Sequence, residues 1–70
     1  MDPTQCYLEM YEAMKDGDLA TARERALDLK EWLDRGGFYP PNFSQTEVRG
    51  YLANVLRRTA GLAESDEADA

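Results

Sequence analysis

The sequence predicts an all-α domain folded as a three-helix bundle, and three observations favour this fold class. Apolar residues recur every three or four positions in three separate stretches. A residue typical of helix N-caps precedes each stretch, and glycine follows each one. Hydrophobic residues make up 43% of the chain and charged residues 31%, a balance typical of folded proteins. We therefore expect one domain over residues 1–62, with helices over about 3–16, 19–35 and 45–60.

The first helix has a clear start and a clear end. Asp2 is placed to act as its N-cap, and Pro3 then occupies the first helical position, where the missing N–H costs nothing. Gly17 provides the left-handed residue that ends many helices. Between them, one apolar face is predicted from Cys6, Tyr7, Met10, Ala13 and Met14.

The second helix is predicted to start at the cap residue Asp18 and to end before Gly36 and Gly37. Its apolar positions follow spacings of three and four and are Leu19, Ala22, Ala26, Leu29 and Leu33. The two alanines are small, so a neighbouring helix can approach closely. Because the connection at Gly17 is short, the first two helices are expected to form an antiparallel hairpin.

The third helix begins at a capping box in which Ser44 is the N-cap and Glu47 lies three residues later. Its apolar face is predicted from Val48, Tyr51, Leu52, Val55 and Leu56. Gly50 costs about 1 kcal/mol relative to alanine inside a helix, which predicts a close backbone contact at that position. We expect this helix to cover the open side of the hairpin.

Two segments outside the helices have distinct compositions. Residues 36–43 contain three aromatic side chains and two prolines, so this segment is expected to cross the helices in an extended course and pack on them. Residues 63–70 are small and acidic, and they are expected to form a disordered tail because they can bury little apolar surface.

Residues 17–22, Gly-Asp-Leu-Ala-Thr-Ala, resemble the turn of a tetratricopeptide repeat. Gly17, Asp18 and Ala22 match that family's pattern, and Ala26 and Leu29 keep its apolar rhythm. The resemblance covers roughly residues 4–35, and it implies a helical hairpin and protein binding. The Trp, Leu, Gly and Tyr typical of the family's first helix are not matched, and no second repeat follows.

Composition argues against an enzyme, a metal site and a bound cofactor. The chain has no histidine, the residue most often used for general acid–base catalysis at neutral pH. Its single cysteine, Cys6, has no candidate base nearby, so we interpret it as a small core residue. Acid pairs such as Glu9 with Glu12 are interpreted as a solvated face, because a small bundle offers little volume to bury them.

Charge limits the partners. The net charge is −6, which disfavours binding to nucleic acid or to anionic membrane surfaces. Residues 36–61 are the exception, because Arg49, Arg57 and Arg58 against Glu47 give +2. The first residues contain neither a basic nor an apolar stretch, so no signal peptide is predicted. Together with the lone cysteine, this predicts a cytoplasmic protein.

The strongest candidates for partner contact are the aromatic residues, which are numerous for so small a core. Tyr and Trp are enriched at interfaces, and Arg joins them at binding hot spots. The predicted partner-binding residues are Trp32, Phe38, Tyr39, Phe43, Tyr51, Arg57 and Arg58. We therefore expect a non-catalytic protein-interaction module of unidentified partner, with a homodimer left open. Two alternatives stay open: a regulatory subunit acting through its acidic surface, and weak nucleic-acid binding through the arginines of the third helix.

Overall fold

The structure, a computed structural model, describes residues 2–62 and contains three helices over that range. They are α1 (Pro3–Asp16), α2 (Leu19–Asp34) and α3 (Gln45–Arg58). The predicted all-α three-helix fold is confirmed, and each helix boundary lies within two residues of its predicted position. The predicted acidic tail, residues 63–70, lies outside the described residues.

All three helices start at the predicted caps. The Asp2 carboxylate accepts hydrogen bonds from the backbone N–H groups of the first turn of α1. The Asp18 carboxylate accepts from the Thr21 N–H, and the Ser44 hydroxyl accepts from the Glu47 N–H. Each side chain satisfies N–H groups that have no partner within the helix, which is why these three positions set where the helices begin.

The turn between α1 and α2 depends on a left-handed glycine. Gly17 has φ = +77°, and its N–H donates to the Met14 carbonyl. The Asp18 N–H donates to the Ala13 carbonyl over 2.8 Å. This pattern closes the end of α1 and reverses the chain within two residues, so α2 runs back antiparallel along α1.

The core lies along the apolar stripes of all three helices. Ala22 and Ala26 of α2 are fully buried and lie beside α1, so the hairpin packs through small side chains. The loop closes the core with Pro40, which is also fully buried. The buried hydrophobic residues of the helices are Cys6, Tyr7, Met10, Ala13, Ala22, Ala26, Leu29, Leu33, Val48, Leu52 and Val55.

A side chain of α2 closes the end of α3. The Arg23 guanidinium donates to the Leu56 carbonyl and to the Thr59 hydroxyl. The Thr59 hydroxyl in turn donates to the Val55 carbonyl over 2.8 Å, although Thr59 is almost fully buried. Carbonyl groups at a helix C-terminus attract cations, so this contact anchors α3 to the hairpin.

The prediction of a close backbone contact at Gly50 is wrong. A Cβ built there has no neighbouring atom within 4 Å, and Gly50 faces open space. Helix α3 instead approaches the hairpin through other positions on its buried stripe.

Among residues 2–62, no helix is long and apolar enough to cross a membrane.

Candidate functional site

Three of the aromatic side chains form a cluster that joins α1 to α3. The Tyr7 and Phe43 rings lie 4.8 Å apart between centroids, and the Tyr7 and Tyr51 rings lie 5.9 Å apart, close to edge-to-face. Burial raises the pKa of Tyr7 and of Tyr51 above their ordinary values. Phe43 and Tyr51 are half-buried and pack on the core. Two of the predicted partner-binding residues therefore close the core between the helices.

Trp32 and Phe38 form a separate unit at the end of α2. The Trp32 indole N–H donates to the Phe38 carbonyl over 3.0 Å, and the two rings pack edge-to-face with centroids 5.5 Å apart. Trp32 is half-buried, whereas 63% of the Phe38 surface is exposed. We call these two side chains and the turn between them the Trp32–Phe38 hook.

Two glycines shape the hook. Gly36 has φ = +89°, and its N–H donates to the Leu33 carbonyl. The Gly37 N–H donates to the Trp32 carbonyl over 2.9 Å. A Cβ added to Gly37 would overlap the Trp32 indole, so the chain lies directly on the ring. The loop therefore holds Phe38 in one place while leaving most of it exposed.

Tyr39 belongs to a polar bridge between α2 and α3. The Arg49 guanidinium donates to the Tyr39 hydroxyl over 2.6 Å and lies 5.7 Å from the centre of its ring. Arg49 and Lys30 both contact the Asp34 carboxylate, at 3.5 Å and 2.7 Å. The hydrogen bond from Lys30, followed by the nearby cations, lowers the pKa of Asp34 below its ordinary value. Tyr39 thus ties the loop to both helices.

The arginines of α3 face different directions. Arg57 donates to the Asn54 side chain over 3.3 Å and is exposed. Arg58 is also exposed, and its charge acts on the pKa of Tyr51, on the α1 side of the helix. Arg49 lies eight residues before Arg57, about 12 Å along the helix axis, and is held by the bridge to Tyr39. The three arginines are therefore spread over the length and circumference of α3.

The acidic residues gather on the opposite side of α2. Two adjoining open grooves between α1 and α2 are lined by seven carboxylates, those of Asp2, Glu9, Glu12, Asp16, Asp18, Asp28 and Glu31. Arg25 crosses these grooves and pairs with Glu9 at 3.2 Å and with Asp28 at 3.4 Å. Arg35 is the other cation in their lining, so this face carries a strong net negative charge.

Cys6 lies at the base of the same region and is a core residue, as predicted. It is buried, and its thiol donates to the Arg25 carbonyl over 3.1 Å. Burial, the main cause, raises the pKa of the thiol above its ordinary value. A neutral, hydrogen-bonded thiol is a poor nucleophile, so this position serves packing.

The described residues hold no cluster suited to a metal ion and no unsatisfied buried polar side chain. Among the described residues, no group of three acidic or cysteine side chains is placed to hold a metal ion. Every buried side-chain nitrogen or oxygen in that range has a hydrogen-bond partner, so none is left aimed into a cavity. The side chains that another molecule could reach are the exposed aromatic and charged ones described above.

Sequence reasoning missed the residues that act between α2 and α3. The predicted site residues include none of Arg23, Lys30 and Asp34. Arg23 and Asp34 contact α3 directly, and Lys30 pairs with Asp34. The i, i+4 spacing of Lys30 and Asp34 predicts their pairing within the helix. Contacts between two helices depend on the angle and position at which the helices cross, and residue spacing within one helix does not predict these.

Comparison with known proteins gives no match. No family model matches the chain, and neither the search of curated proteins nor the search of solved structures found a match. The resemblance of residues 4–35 to a tetratricopeptide repeat therefore stays a prediction.

Proposed function

We propose that this protein is a non-catalytic protein-interaction module and that the Trp32–Phe38 hook contacts its partner. The observation that carries the proposal is the exposure of Phe38: the residue is 63% exposed although the Trp32 indole holds its backbone carbonyl. The cytoplasmic location is part of the proposal, because the single, buried cysteine suits a reducing compartment.

An exposed ring held in one place is suited to binding. Aromatic residues in fixed positions dominate the energy of many interfaces. Ordering a side chain on binding costs about 0.5–1.5 kcal/mol, and a ring that is already ordered avoids most of that cost. The Trp32 ring and the Gly37 backbone provide this order, so the hook resembles a preformed anchor for an apolar pocket.

The test is affinity capture from native lysate with quantitative mass spectrometry. We compare the wild type with Phe38→Ser, and we use Leu19→Ser as the matched control because Leu19 is also exposed but lies at the other end of α2. The expected result is a partner that Phe38→Ser loses and Leu19→Ser keeps, with unchanged helical circular dichroism. Equal recovery of the partner with both variants would contradict the proposal. Sedimentation distinguishes a separate partner from a second copy of this chain.

A second candidate is a regulatory subunit that acts through its acidic surface. The gathering of seven carboxylates along the α1/α2 grooves favours it. Such a face attracts basic partners and speeds their association, an effect that salt weakens. Replacing Glu12 and Asp16 by Gln and Asn should then reduce capture of basic proteins, while Phe38→Ser should leave it unchanged. If neither the Glu12 and Asp16 replacements nor 0.3 M salt reduced the capture of basic proteins, the result would count against this candidate.

A further inference from the structure

The groove between α2 and α3 has an apolar floor and a basic rim. It contains a depression of about 140 Å³ that is lined by Leu52, Ala53 and Leu56. Lys30 of α2 and Arg49 of α3 stand at its edge. Small-molecule and cofactor sites typically measure about 300–1,000 Å³, so this depression fits one protruding side chain rather than such a ligand.

Exposed residues extend the groove along both helices. Leu27 is 45% exposed and lies one turn from Lys30 and from Arg23, on the same side of α2. On α3, the strip ends at Ala53, which is exposed. The result is an apolar strip of Leu27, Ala53 and Leu56, with Arg23 beside one end and Lys30 and Arg49 beside the other.

The charge beside the depression is positive, opposite to the net charge of the chain. Arg23, Lys30 and Arg49 lie beside the strip, and Asp34 contacts the last two. Glu24 and Glu31 lie one turn from Leu27. The chain as a whole carries −6. A groove of this kind complements a helix with one apolar stripe flanked by carboxylates.

We propose that the α2/α3 groove binds an acidic amphipathic helix of another protein. A large apolar side chain of that helix fills the depression beside Leu56, and its flanking carboxylates approach Lys30 and Arg49. On the same apolar stripe of the partner helix, a residue three or four positions from that side chain covers Leu27. The partner is thus defined by leucine-sized residues at helical spacing within an acidic sequence.

Two occupants from this chain fit less well. Residues 63–70 are acidic, but their apolar residues are alanines, which are too small to fill the depression. The exposed stripe of α1 in a second copy offers Leu8 and Tyr11 beside Glu12 and Asp16, but Lys15 lies on the same stripe and would face the cationic rim. A separate helix that carries leucine-sized residues and carboxylates without this lysine fits both the size and the charge of the groove.

This surface is independent of the Trp32–Phe38 hook. Trp32 follows Lys30 by two residues, which places the two side chains about 200° apart around α2. Binding at the groove therefore does not require Phe38, and the two proposals can fail separately.

The test uses fluorescence anisotropy with the full-length protein and a labelled synthetic peptide of about 18 residues. The peptide carries leucine on one helical face and glutamate elsewhere, and a second peptide has the same composition in scrambled order. We expect saturable binding that is weaker at 0.3 M salt and is lost on scrambling. Ala53→Glu should weaken binding at least about tenfold, because it places a carboxylate among the carboxylates of the peptide. Lys30→Glu should have the same effect.

The controls separate the alternatives. Gln5→Glu adds the same single negative charge as Ala53→Glu, but at an exposed site in the α1/α2 groove. It should leave affinity unchanged, as should Phe38→Ser. Equal binding of the scrambled peptide, or of a single-stranded oligonucleotide of equal charge, would overturn the proposal. So would a tenfold gain of affinity on neutralising Glu64, Asp66, Glu67 and Asp69, or self-association that Ala53→Glu abolishes. Helical circular dichroism verifies that each variant is folded.

Discussion

The two helices that flank α2 are attached to the rest of the molecule in different ways. Helix α1 packs on α2 through small buried residues, among them Ala22 and Ala26, across a two-residue turn. Helix α3 is held by large rings on its α1 side and by polar contacts on its α2 side, after a longer aromatic loop. The first attachment depends on close backbone approach, and the second depends on a few large side chains.

Tyr7→Ala should have the largest effect, because the Tyr7 ring contacts both Phe43 and Tyr51 and is buried. Truncating a buried aromatic residue typically removes about 3–5 kcal/mol from the free energy of unfolding. Urea unfolding followed by circular dichroism measures it. The control is Tyr11→Ala, since Tyr11 contacts Tyr51 but is 51% exposed. If both variants lose the same free energy, the rings of the cluster do not hold α3.

Ala26→Leu should have the next largest effect and tests the close approach of the hairpin. Ala26 is fully buried, so three additional carbon atoms must displace neighbouring side chains or α1 itself. Overpacking of this kind costs about 1–3 kcal/mol. Ala20→Leu is the control on the exposed surface of the same helix and should change the free energy of unfolding by less than about 0.5 kcal/mol. A neutral Ala26→Leu variant would show that α1 and α2 are not closely packed.

Gly37→Ala and Gly50→Ala should change stability in opposite directions. A Cβ at Gly37 overlaps the Trp32 indole, so the turn must shift and the tryptophan fluorescence and near-ultraviolet circular dichroism should change. At Gly50 a Cβ meets nothing, and alanine should stabilise α3 by about 0.5–1 kcal/mol. Thermal unfolding of both variants checks this, and destabilisation by Gly50→Ala would mean that α3 packs closer than the structure has it.

These differences also explain which features were predictable. The caps Asp2, Asp18 and Ser44 and the stop at Gly17 act within a few residues of themselves, so the sequence predicts them well. The buried stripes follow from helical spacing for the same reason, except at Leu19, which was predicted on the stripe of α2 but is exposed at the first turn of the helix. At Gly50 the same local reasoning was wrong, because whether a helix is approached there depends on its rotation against a neighbour.

The candidate site was predictable only in outline. An aromatic surplus is visible in the composition, but nothing in the spacing separates Phe43, which packs on the core, from Phe38, which is exposed. That division depends on the path of residues 36–43 across the bundle. The basic rim of the α2/α3 groove is equally non-local, because Lys30 and Arg49 come from different helices and meet only when α3 crosses α2.

The smallest expected effect concerns the polar side of the α3 attachment, through Asp34. Its folded-state pKa is lowered, chiefly by the hydrogen bond from Lys30, so its contribution to stability is present above the pKa of the unfolded chain, about 3.9. That contribution is lost as the pH falls through the lower, folded-state pKa. NMR titration of the Asp34 carboxyl should give a pKa below its ordinary value, and Lys30→Gln should raise it. Because Asp34 is exposed, the accompanying change in unfolding free energy should be small. An unchanged Asp34 pKa in Lys30→Gln would show that the hydrogen bond from Lys30, the main cause of the lowered pKa, does not form in solution.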